Sequence, residues 1–370
     1  MKRILFLVSS MQGGGAERVA ALLCNHWAER GYQITLMPTF SGRGDCLYPL
    51  NKGVNLVYLA DRVGSRSPSF INKVRRLYAL RQAIRELKPD VIVSFLTDVN
   101  IAAIIAARGS GIPVVVAERS YPPMMDVGRL LAHIRRCTYP YAKQVVMQTE
   151  QGRKWAQGLL PSARVVVIPN PVVWPIPSYG LCVAPETVVA GGRRVLLAVG
   201  RLSEEKQISW IIEAFAEWTC QFHDWDLVVL GEGPERERLE AQRYSLGLEG
   251  KVHLPGRVEN VSDWYQRASL FVMSSRFEGF PNALLEAMSC GLPVVSVDCD
   301  TGPRDLIQNG IDGVLVDPQG GVPALADALA GLMADSKRRV RLGEAANKVR
   351  ERYAISRIAA EWDRVLGLVE

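Results

Sequence analysis

Two glutamates separated by seven residues are the most informative polar pair in the sequence. Glu278 and Glu286 enclose the turn Gly279-Phe280-Pro281, which predicts that Glu278 precedes a helix and that Glu286 lies about one turn inside it. The amides that begin such a helix, together with its dipole, suit a diphosphate, and the two carboxylates could accept hydrogen bonds from sugar hydroxyls. The alternative is that both acids only complement the positive end of the helix.

Two cations could serve the same ligand. An apolar run over 195–199 predicts a strand whose carboxyl end delivers Gly200 and Arg201, with Lys206 five residues later. Cations at the mouth of a sheet are well placed to neutralise a leaving diphosphate without a metal. The alternative for Arg201, when it is considered alone, is an ordinary ion pair at the protein surface.

A glycine-rich loop, Gly13-Gly14-Gly15-Ala16-Glu17-Arg18, follows the first predicted strand and opens a helix. Small residues there would let a ligand or a facing domain approach the backbone closely. The loop is not G-x-G-x-x-G, because its last position is Arg18, and no acid follows at the spacing that binds a dinucleotide ribose. A nicotinamide-dependent enzyme is therefore disfavoured.

Metal-binding patterns are weak. Asp298 and Asp300 could hold a divalent cation, but they lie between a predicted strand and a Thr-Gly-Pro turn, and the four histidines are scattered. Seven cysteines, an odd number with no C-x-x-C pair, indicate neither a zinc site nor a disulfide framework. We expect a reduced, cytoplasmic protein that carries no metal and no other cofactor.

The segment 66–88 is strongly basic, with seven cations and Glu86 as its single acid. Five of the cations are candidates for contact with an anionic surface: Lys73, Arg75, Arg76, Arg81 and Arg85. Apolar residues at helical spacing, Val74 among them, predict that one face of this helix packs while the other faces carry charge. A basic segment of this kind usually forms a solvent-exposed helix face. Because Phe70 and Tyr78 lie among the cations, the alternative is that the segment attracts anionic lipid or a polyprenyl diphosphate.

Composition and charge indicate a large globular protein with a polarised surface. Of the 370 residues, 48% are hydrophobic, a fraction that excludes a disordered chain. The length exceeds what a single hydrophobic core usually supports. Residues 1–170 carry 23 Lys and Arg against 10 Asp and Glu, whereas the remainder carries 21 against 28. The basic half is expected to meet a polyanion, such as nucleic acid, an acidic membrane or a phosphorylated substrate. No apolar run is long enough for a spanning helix, and the apolar start is better explained as a first strand than as a signal peptide.

Short apolar runs alternate with amphipathic stretches throughout, which predicts two doubly wound α/β domains with parallel sheets. A Pro-rich stretch divides them. We expect an N-terminal domain over 1–172, a C-terminal domain over 193–352, and a final helix over 353–370. Two such domains would face each other across a cleft at the carboxyl ends of their strands, where ligands bind in such sheets.

With these residues identified, the chain resembles the retaining glycosyltransferases of family 4, which have the GT-B fold. The matching stretches follow in order along nearly the whole chain: Gly13–Arg18, Gly200–Lys206, Gly231–Pro234, Ser275–Met288 and Asn309–Gly313. The Glu278 and Glu286 pair is the family signature. The glycine loop and the basic helix resemble the subgroup of bacterial N-acetylgalactosaminyltransferases that extends undecaprenyl-diphosphate glycans.

The resemblance implies a role for each site residue. Arg201 and Lys206 would bind the donor diphosphate, Glu286 the ribose hydroxyls and Glu278 the transferred sugar, with Glu278, Arg201 and Lys206 acting in catalysis. The remaining substrate-binding positions are Gly14, Gly15, Glu17, Glu118, Val258, Phe280, Pro281, Asn282 and Ala283. Among these, Val258 would lie near the uracil, and the backbone amides of 280–283 would reach the diphosphate or sugar. The final helix would cross back to the first domain.

Two positions depart from the family pattern. Many relatives have a histidine after the strand that corresponds to 114–117, whereas this chain has Glu118 and Arg119. Either residue could orient the sugar or the acceptor. Gln207 replaces the glycine that usually follows the lysine, a change that we expect to be tolerated.

The resemblance therefore implies a retaining, metal-independent enzyme that moves a hexose or N-acetylhexosamine, with N-acetylgalactosamine favoured. The donor would be a UDP-sugar and the acceptor a polyprenyl-diphosphate-linked saccharide in surface polysaccharide or glycoprotein glycan assembly. Its partners would include the anionic inner face of the plasma membrane and no nucleic acid. The alternative is a non-catalytic protein on the same scaffold that binds sugar nucleotides or polyanions.

Overall fold

The structure, a computed structural model, describes residues 2–40, 46–63, 70–125, 127–178 and 180–369. The chain forms two compact units. The first comprises the chain up to Pro171 together with the segment from Ile355 onward, and the second comprises Val172–Ala354.

Seven parallel strands form the sheet of the first unit within the described residues. They are β1 (Arg3–Val8), β2 (Gln33–Pro38), β3 (Val54–Leu56), β4 (Val91–Phe95), β5 (Val114–Ala117), β6 (Gln144–Met147) and β7 (Val165–Val167). Their order is β3-β2-β1-β4-β5-β6-β7, with Ile4 of β1 in register with both Ile34 and Val91. The central strands are buried along nearly their whole length, as their continuous Val, Ile and Leu runs require when helices cover both faces.

Helices connect these strands. They are α1 (Gly15–Glu29), α2 (Ala60–Val63), α3 (Phe70–Leu87), α4 (Thr97–Ala107), α5 (Arg129–Thr138) and α6 (Glu150–Leu159), with 3₁₀ turns at Pro122–Met124 and Tyr139–Tyr141. Because every strand is parallel, all strands end at one edge of the sheet, which we call the carboxyl edge. The connection from β1 to α1 is the glycine loop, so that loop lies at the carboxyl edge.

The second unit repeats this plan with six parallel strands in the order β10-β9-β8-β11-β12-β13 among the described residues. The strands are β8 (Arg194–Val199), β9 (Trp225–Leu230), β10 (Val252–Gly256), β11 (Leu270–Met273), β12 (Val294–Val297) and β13 (Val314–Val316). The helices are α7 (Ile208–Ala216), α8 (Arg236–Ser245), α9 (Val261–Arg267), α10 (Asn282–Ser289), α11 (Pro303–Leu306), α12 (Gly321–Ala334), α13 (Ser336–Ala346) and α14 (Val349–Arg352), with 3₁₀ turns at Pro185–Thr187, Glu204–Lys206 and Pro318–Gly320.

The last helix, α15 (Ile355–Leu366), packs in the first unit, as the resemblance implies. Its Trp362 is fully buried, with its ring 5.9 Å from that of Phe95. The buried carboxylate of Asp363 accepts a hydrogen bond of 2.8 Å from the indole nitrogen of Trp27 and pairs with the guanidinium of Arg30, both on α1. A buried acid with two partners therefore fixes α15 to α1.

Replacing Asp363 with alanine should lower the free energy of unfolding of the first unit by about 2 kcal/mol, because it leaves the buried Trp27 N–H without its acceptor. Asp363→Asn keeps an acceptor for Trp27 and loses the ion pair, so we expect a smaller loss. Hydrogen exchange of the α15 amides measures the effect. Equal protection of α15 in the alanine variant and the parent would refute this role for Asp363.

The sequence predictions and the structure differ in three places. The Pro-rich stretch belongs to the second unit, where the backbone of Val183 bonds the side chains of Asn260 and Trp264. Sequence periodicity did not single out α5 or α6, because both are short and polar on most faces. The predicted helical tail from Lys337 is three helices, of which α13 and α14 belong to the second unit and α15 to the first.

No helix among the described residues has the length and apolarity needed to cross a membrane. All seven cysteines are described, and each is a free thiol.

Candidate functional site

Two loops at the carboxyl edge of the second sheet are in close backbone contact. The amide of Leu202, after β8, donates to the carbonyl of Glu232, after β9, at 3.0 Å. A Cβ on Gly231 would lie 1.9 Å from the carbonyl oxygen of Gly200, and one on Gly233 would lie 2.2 Å from that of Leu202. Glycine is required at both positions, and the contact fixes the loop that carries Arg201.

Lys206 contacts Glu278 directly. Lys206 ends the 3₁₀ turn Glu204–Lys206, and its methylenes pass over Gly200. Its Nζ donates to Glu278 Oε1 at 2.5 Å, and the hydroxyl of Ser275 donates to the same oxygen at 2.7 Å. The largely buried carboxylate therefore has a cation and a hydroxyl as partners.

The loop before α10 is anchored from a neighbouring strand end. The hydroxyl of Thr301 donates to the carbonyl of Glu278. Gly302 has φ 98°, and a Cβ there would meet the ring of Pro281 at 2.6 Å. Pro281 is the N-cap of α10, one position before the helical position that the sequence predicts, and α10 begins at Asn282, followed by Ala283. The loop that places Glu278 is thus held on both sides.

Glu286 lies in the second turn of α10 and is buried. The hydroxyl of Tyr265 lies 3.2 Å from its Oε2 and 3.2 Å from the carbonyl oxygen of Ala283. Phe280, before the helix, packs edge-on against Tyr353 with ring centroids 5.6 Å apart. Sequence reasoning did not find Tyr265, because no spacing rule links α9 to α10 before the sheet is assembled.

Two further residues that the sequence analysis singled out, Arg201 and Val258, lie at the same edge. Arg201 is exposed, and within the described part of the chain it has no ion-pair partner. Val258 is buried two residues after β10. The structure thus brings Lys206 into contact with Glu278, and it places Arg201, Glu286 and Val258 on loops or helices that follow neighbouring strands. This edge offers a free cation, a paired cation and two carboxylates to a ligand with phosphate and hydroxyl groups.

Gln207, which follows Lys206, has φ 47° and ψ 41°, the left-handed region that favours glycine. The hydroxyl of Ser274 donates to the carbonyls of both Lys206 and Gln207 at 2.8 Å. These bonds hold the backbone of Gln207 in a conformation that costs a non-glycine residue about 1 kcal/mol.

In the first unit, Glu17 organises the glycine loop. Its buried carboxylate accepts a hydrogen bond of 2.6 Å from the amide of Gly13 and one from the hydroxyl of Ser10. Gly14 is the N-cap of α1, its carbonyl accepts from the hydroxyl of Tyr48 at 3.1 Å, and Gly15 begins the helix. Glu17 therefore acts within its own loop and shapes it.

Glu118, just after β5, is fully buried in a polar network. Its carboxylate accepts from the hydroxyls of Thr97, at 2.9 Å, and Tyr139, and Arg135 lies 3.9 Å away. Burial raises the pKa of Glu118, an effect that the Tyr139 hydrogen bond partly offsets. Burial and the neighbouring Glu118 carboxylate raise the pKa of the Tyr139 hydroxyl. Both Glu118 oxygens are used inside the protein, whereas Arg119 is directed elsewhere.

No group of three or more His, Cys, Asp or Glu side chains among the described residues is arranged to hold a metal ion. Asp298 pairs with Arg304 at 2.9 Å.

The basic helix α3 differs from the sequence prediction in which residues it exposes. Val74 is 53% exposed and Tyr78 61% exposed, so the prediction that Val74 packs is wrong, because that helix position points to solvent. Lys73, Arg75 and Arg85 are exposed. Residues 66–69, the start of the basic segment, lie outside the described residues.

Two other cations of α3 bond the first unit's backbone. Arg76 donates to the carbonyl of Thr39 at 2.7 Å, and its guanidinium lies 5.2 Å from the ring centre of Phe40. Arg81 donates to the carbonyl of Ala106 at 3.4 Å. Arg81 also lines a cavity of about 410 Å³ with three more cations, Arg3, Arg85 and Lys88.

Comparison with known proteins identifies the family. Residues 14–171 match the glycosyl transferase 4-like domain, and residues 184–349 match glycosyl transferases group 1. The chain is 27% identical to a Campylobacter jejuni protein, GalNAc-alpha-(1->4)-GalNAc-alpha-(1->3)-diNAcBac-PP-undecaprenol alpha-1,4-N-acetyl-D-galactosaminyltransferase, over 100% of this chain and 99% of the relative.

Solved structures share the fold. The sucrose-phosphate synthase of Thermosynechococcus elongatus superposes with a TM-score of 0.84 at 17% identity, over 99% of each chain. Anabaena HepE in complex with UDP-glucose superposes with a TM-score of 0.80 at 18% identity, over the full length of both chains. With both halves matched in order on two Rossmann-like units, the chain belongs to the family 4 glycosyltransferases of the GT-B fold, and it is a glycosyltransferase that resembles bacterial N-acetylgalactosaminyltransferases.

Proposed function

We propose that the protein transfers a hexose or N-acetylhexosamine from a UDP-sugar to a polyprenyl-diphosphate-linked saccharide, with retention of anomeric configuration. The contact between Lys206 and Glu278, at the same edge of the sheet as the exposed Arg201, carries the proposal. It places two cations and a carboxylate at the edge of the sheet where α/β proteins bind ligands. The name of the Campylobacter jejuni relative favours N-acetylgalactosamine as the sugar and a lipid-linked glycan as the acceptor.

In this proposal the second unit binds the donor. Arg201 and Lys206 hold the diphosphate, and the amides of 280–283 reach the diphosphate or the sugar. Glu278 accepts hydrogen bonds from the transferred sugar, Glu286 accepts them from the ribose, and Val258 lies against the uracil. The hydroxyls of Ser275 and Tyr265 hold the two carboxylates in place.

The chemistry needs stabilisation of the leaving diphosphate as the glycosidic carbon–oxygen bond breaks. Two fixed cations supply this without a divalent metal. The departing diphosphate takes the proton of the acceptor hydroxyl, which attacks from the leaving-group face, so configuration is retained.

The first unit serves the acceptor in this proposal. Gly14 and Gly15 leave room for the sugar and its phosphate, and Glu17 shapes that loop through its bonds to Gly13 and Ser10. Glu118 contributes by ordering the network behind the end of β5.

A panel of UDP-sugars supplied with a short polyprenyl-diphosphate glycan tests the function, with the mass shift of the acceptor as readout. We expect transfer from at least one N-acetylhexosamine donor, an α-linked product by proton coupling constants, and unchanged turnover in EDTA. Binding of UDP without transfer or hydrolysis of any donor would instead support a non-catalytic sugar-nucleotide-binding protein.

We also propose that the enzyme is peripheral at the anionic inner face of the plasma membrane, with α3 as its contact surface. That helix presents the exposed side chains Lys73, Val74, Arg75, Tyr78 and Arg85, a combination of cations, aliphatic and aromatic groups typical of membrane interfaces.

Replacing Lys73, Arg75 and Arg85 together with glutamine should weaken binding to vesicles with anionic lipid about a hundredfold at low salt, because each of the three cations near the surface contributes on the order of 1 kcal/mol. The matched control is the triple glutamine variant of Lys337, Arg341 and Lys348, exposed cations in or just after α13. Vesicle sedimentation measures both. Equal loss in both variants, or binding by the parent that does not change with salt, would contradict the assignment.

A further inference from the structure

The segment through which the chain leaves the second unit contacts the loop that carries Glu278. Helix α14 ends at Arg352, and Tyr353 follows it, two residues before Ile355 begins the part of the chain that belongs to the first unit. The ring of Tyr353 lies edge-on to that of Phe280, with centroids 5.6 Å apart, and both residues are buried. Because Phe280 is two residues from Glu278, this contact fixes the loop close to the backbone of the carboxylate residue.

The hydroxyl of Tyr353 makes a second contact, with helix α11. It donates to the carbonyl of Asp305 at 2.9 Å and accepts from Arg352 at 3.1 Å. Burial raises the pKa of Tyr353, so the hydroxyl is protonated at neutral pH and can donate. Arg352 donates to the same Asp305 carbonyl at 3.1 Å, so that carbonyl keeps a donor even without the Tyr353 hydroxyl. The two side chains together fix the position of α11.

The segment that enters α11 in turn contacts the Glu278 loop. The amide of Gly302 donates to the Asp305 carboxylate at 3.0 Å, and a Cβ on Gly302 would lie 3.3 Å from the Cβ of Glu278. The neighbouring Thr301 donates from its hydroxyl to the carbonyl of Glu278. Tyr353 therefore acts on the loop in two ways, through its ring directly and through its hydroxyl by way of α11.

The other end of α10 is held by the same part of the chain. Arg350 of α14 donates from Nε to the carbonyl of Ser289, the last residue of α10, at 2.6 Å. Its guanidinium carbon lies 3.8 Å from the ring centre of Trp174, and the amide of Val172 donates to the carbonyl of Tyr353 at 2.8 Å. The segments that enter and leave the second unit are thus joined to each other, to α10 and to the loop before it.

We propose that Tyr353 is a positioning residue for the donor sugar: by placing the Glu278 loop, it sets the affinity for the sugar of a UDP-sugar and leaves the affinity for UDP nearly unchanged. This rests on the proposed function for the role of Glu278. In that function Arg201 and Val258, which follow other strands, contact the UDP part, so a shift of the Glu278 loop changes the sugar contact first. Misplacement of a substrate contact by about 1 Å can cost a factor of about 100, so a small shift of the loop is sufficient.

Calorimetric titration of the full-length protein with UDP and with UDP-N-acetylgalactosamine, in the absence of acceptor, tests the proposal. Tyr353→Leu removes both the ring contact and the hydroxyl, and we expect it to weaken binding of the UDP-sugar about tenfold and binding of UDP less than about twofold. Tyr353→Phe keeps the ring and should restore binding of the UDP-sugar to within about threefold of the parent. The matched control is Tyr244→Phe, a change to an exposed tyrosine of α8, which should alter neither affinity.

The thermal midpoint separates this role from a purely structural one. Tyr353→Phe should lower the midpoint by no more than about 3 °C, because the Asp305 carbonyl keeps its bond from Arg352. Equal losses of affinity for UDP and for UDP-N-acetylgalactosamine in Tyr353→Leu, or parent affinity for both, would overturn the assignment of Tyr353 and leave the proposed function intact. A parent protein that binds neither ligand would overturn the proposed function as well.

Discussion

We expect Lys206→Ala to lower kcat/KM for sugar transfer about a hundredfold or more, the loss that follows when one fixed donor to a developing negative charge is removed. In the structure Lys206 donates to Glu278 Oε1 at 2.5 Å, so the substitution also leaves a largely buried carboxylate with the Ser275 hydroxyl as its remaining side-chain partner among the described residues. We therefore expect a loss of about 1 to 2 kcal/mol in the free energy of unfolding as well. Steady-state kinetics and urea unfolding measure the two effects.

Two further variants separate these effects. Lys337→Ala removes an exposed lysine of the same unit and should change neither quantity. The double variant Lys206→Ala with Glu278→Gln should recover part of the stability, because the buried charge is gone, and none of the activity. Near-normal turnover in Lys206→Ala would refute its assignment to the donor diphosphate.

Gly231→Ala should be the most destabilising single change at the proposed donor site. Its Cβ would lie 1.9 Å from the Gly200 carbonyl oxygen, a backbone atom, and φ is 144°, so neither a side-chain rotation nor a small shift accommodates it. We expect a loss of about 3 kcal/mol in the free energy of unfolding of the second unit. Because the clash displaces the loop that carries Arg201, the affinity for UDP should fall as well.

The matched control is Gly250→Ala, where a Cβ would meet nothing within 4 Å. It should unfold at the denaturant concentration of the parent and bind UDP equally well, as followed by tryptophan fluorescence and calorimetric titration. If Gly231→Ala unfolded together with the control, the close backbone contact would not be a constraint on the site.

The site residues differ in how far sequence could assign them. The Glu278 and Glu286 spacing around a Gly-Phe-Pro turn predicts a helix start with two acids, because helical periodicity is local, and the structure has α10 there. The glycines at 231 and 233 indicate a turn in the sequence. What requires glycine there is close backbone contact with a loop more than 25 residues away in the chain. Glu118 and Arg119 are adjacent in the sequence, which gives no reason to separate their roles. In the structure Glu118 accepts from Thr97, whereas Arg119 donates to Asn170 and packs on the ring of Phe95.

The basic helix α3 also combines features that the sequence predicts with features that only the structure shows. The density of cations over 66–88 is a property of composition, yet whether a cation is free depends on distant backbone carbonyls. Arg76 and Arg81 bond the carbonyls of Thr39 and Ala106, and Lys73 and Arg75 stay exposed. Helical spacing alone predicted that Val74 packs. Spacing shows which positions share a face of the helix, but it does not show how much of that face the rest of the protein covers.

By itself, the amino-acid order determined the alternation of strands and helices, the parallel sheets of both units and the motifs at their strand ends, since hydrophobic period, glycine and proline act over a few residues. Only the tertiary structure decided which side chains meet. The contact of Lys206 with Glu278, the support of Glu286 by Tyr265 and the bond of Arg119 to Asn170 each join residues from different elements. Such contacts depend on strand order and register, which are set by packing of the whole sheet.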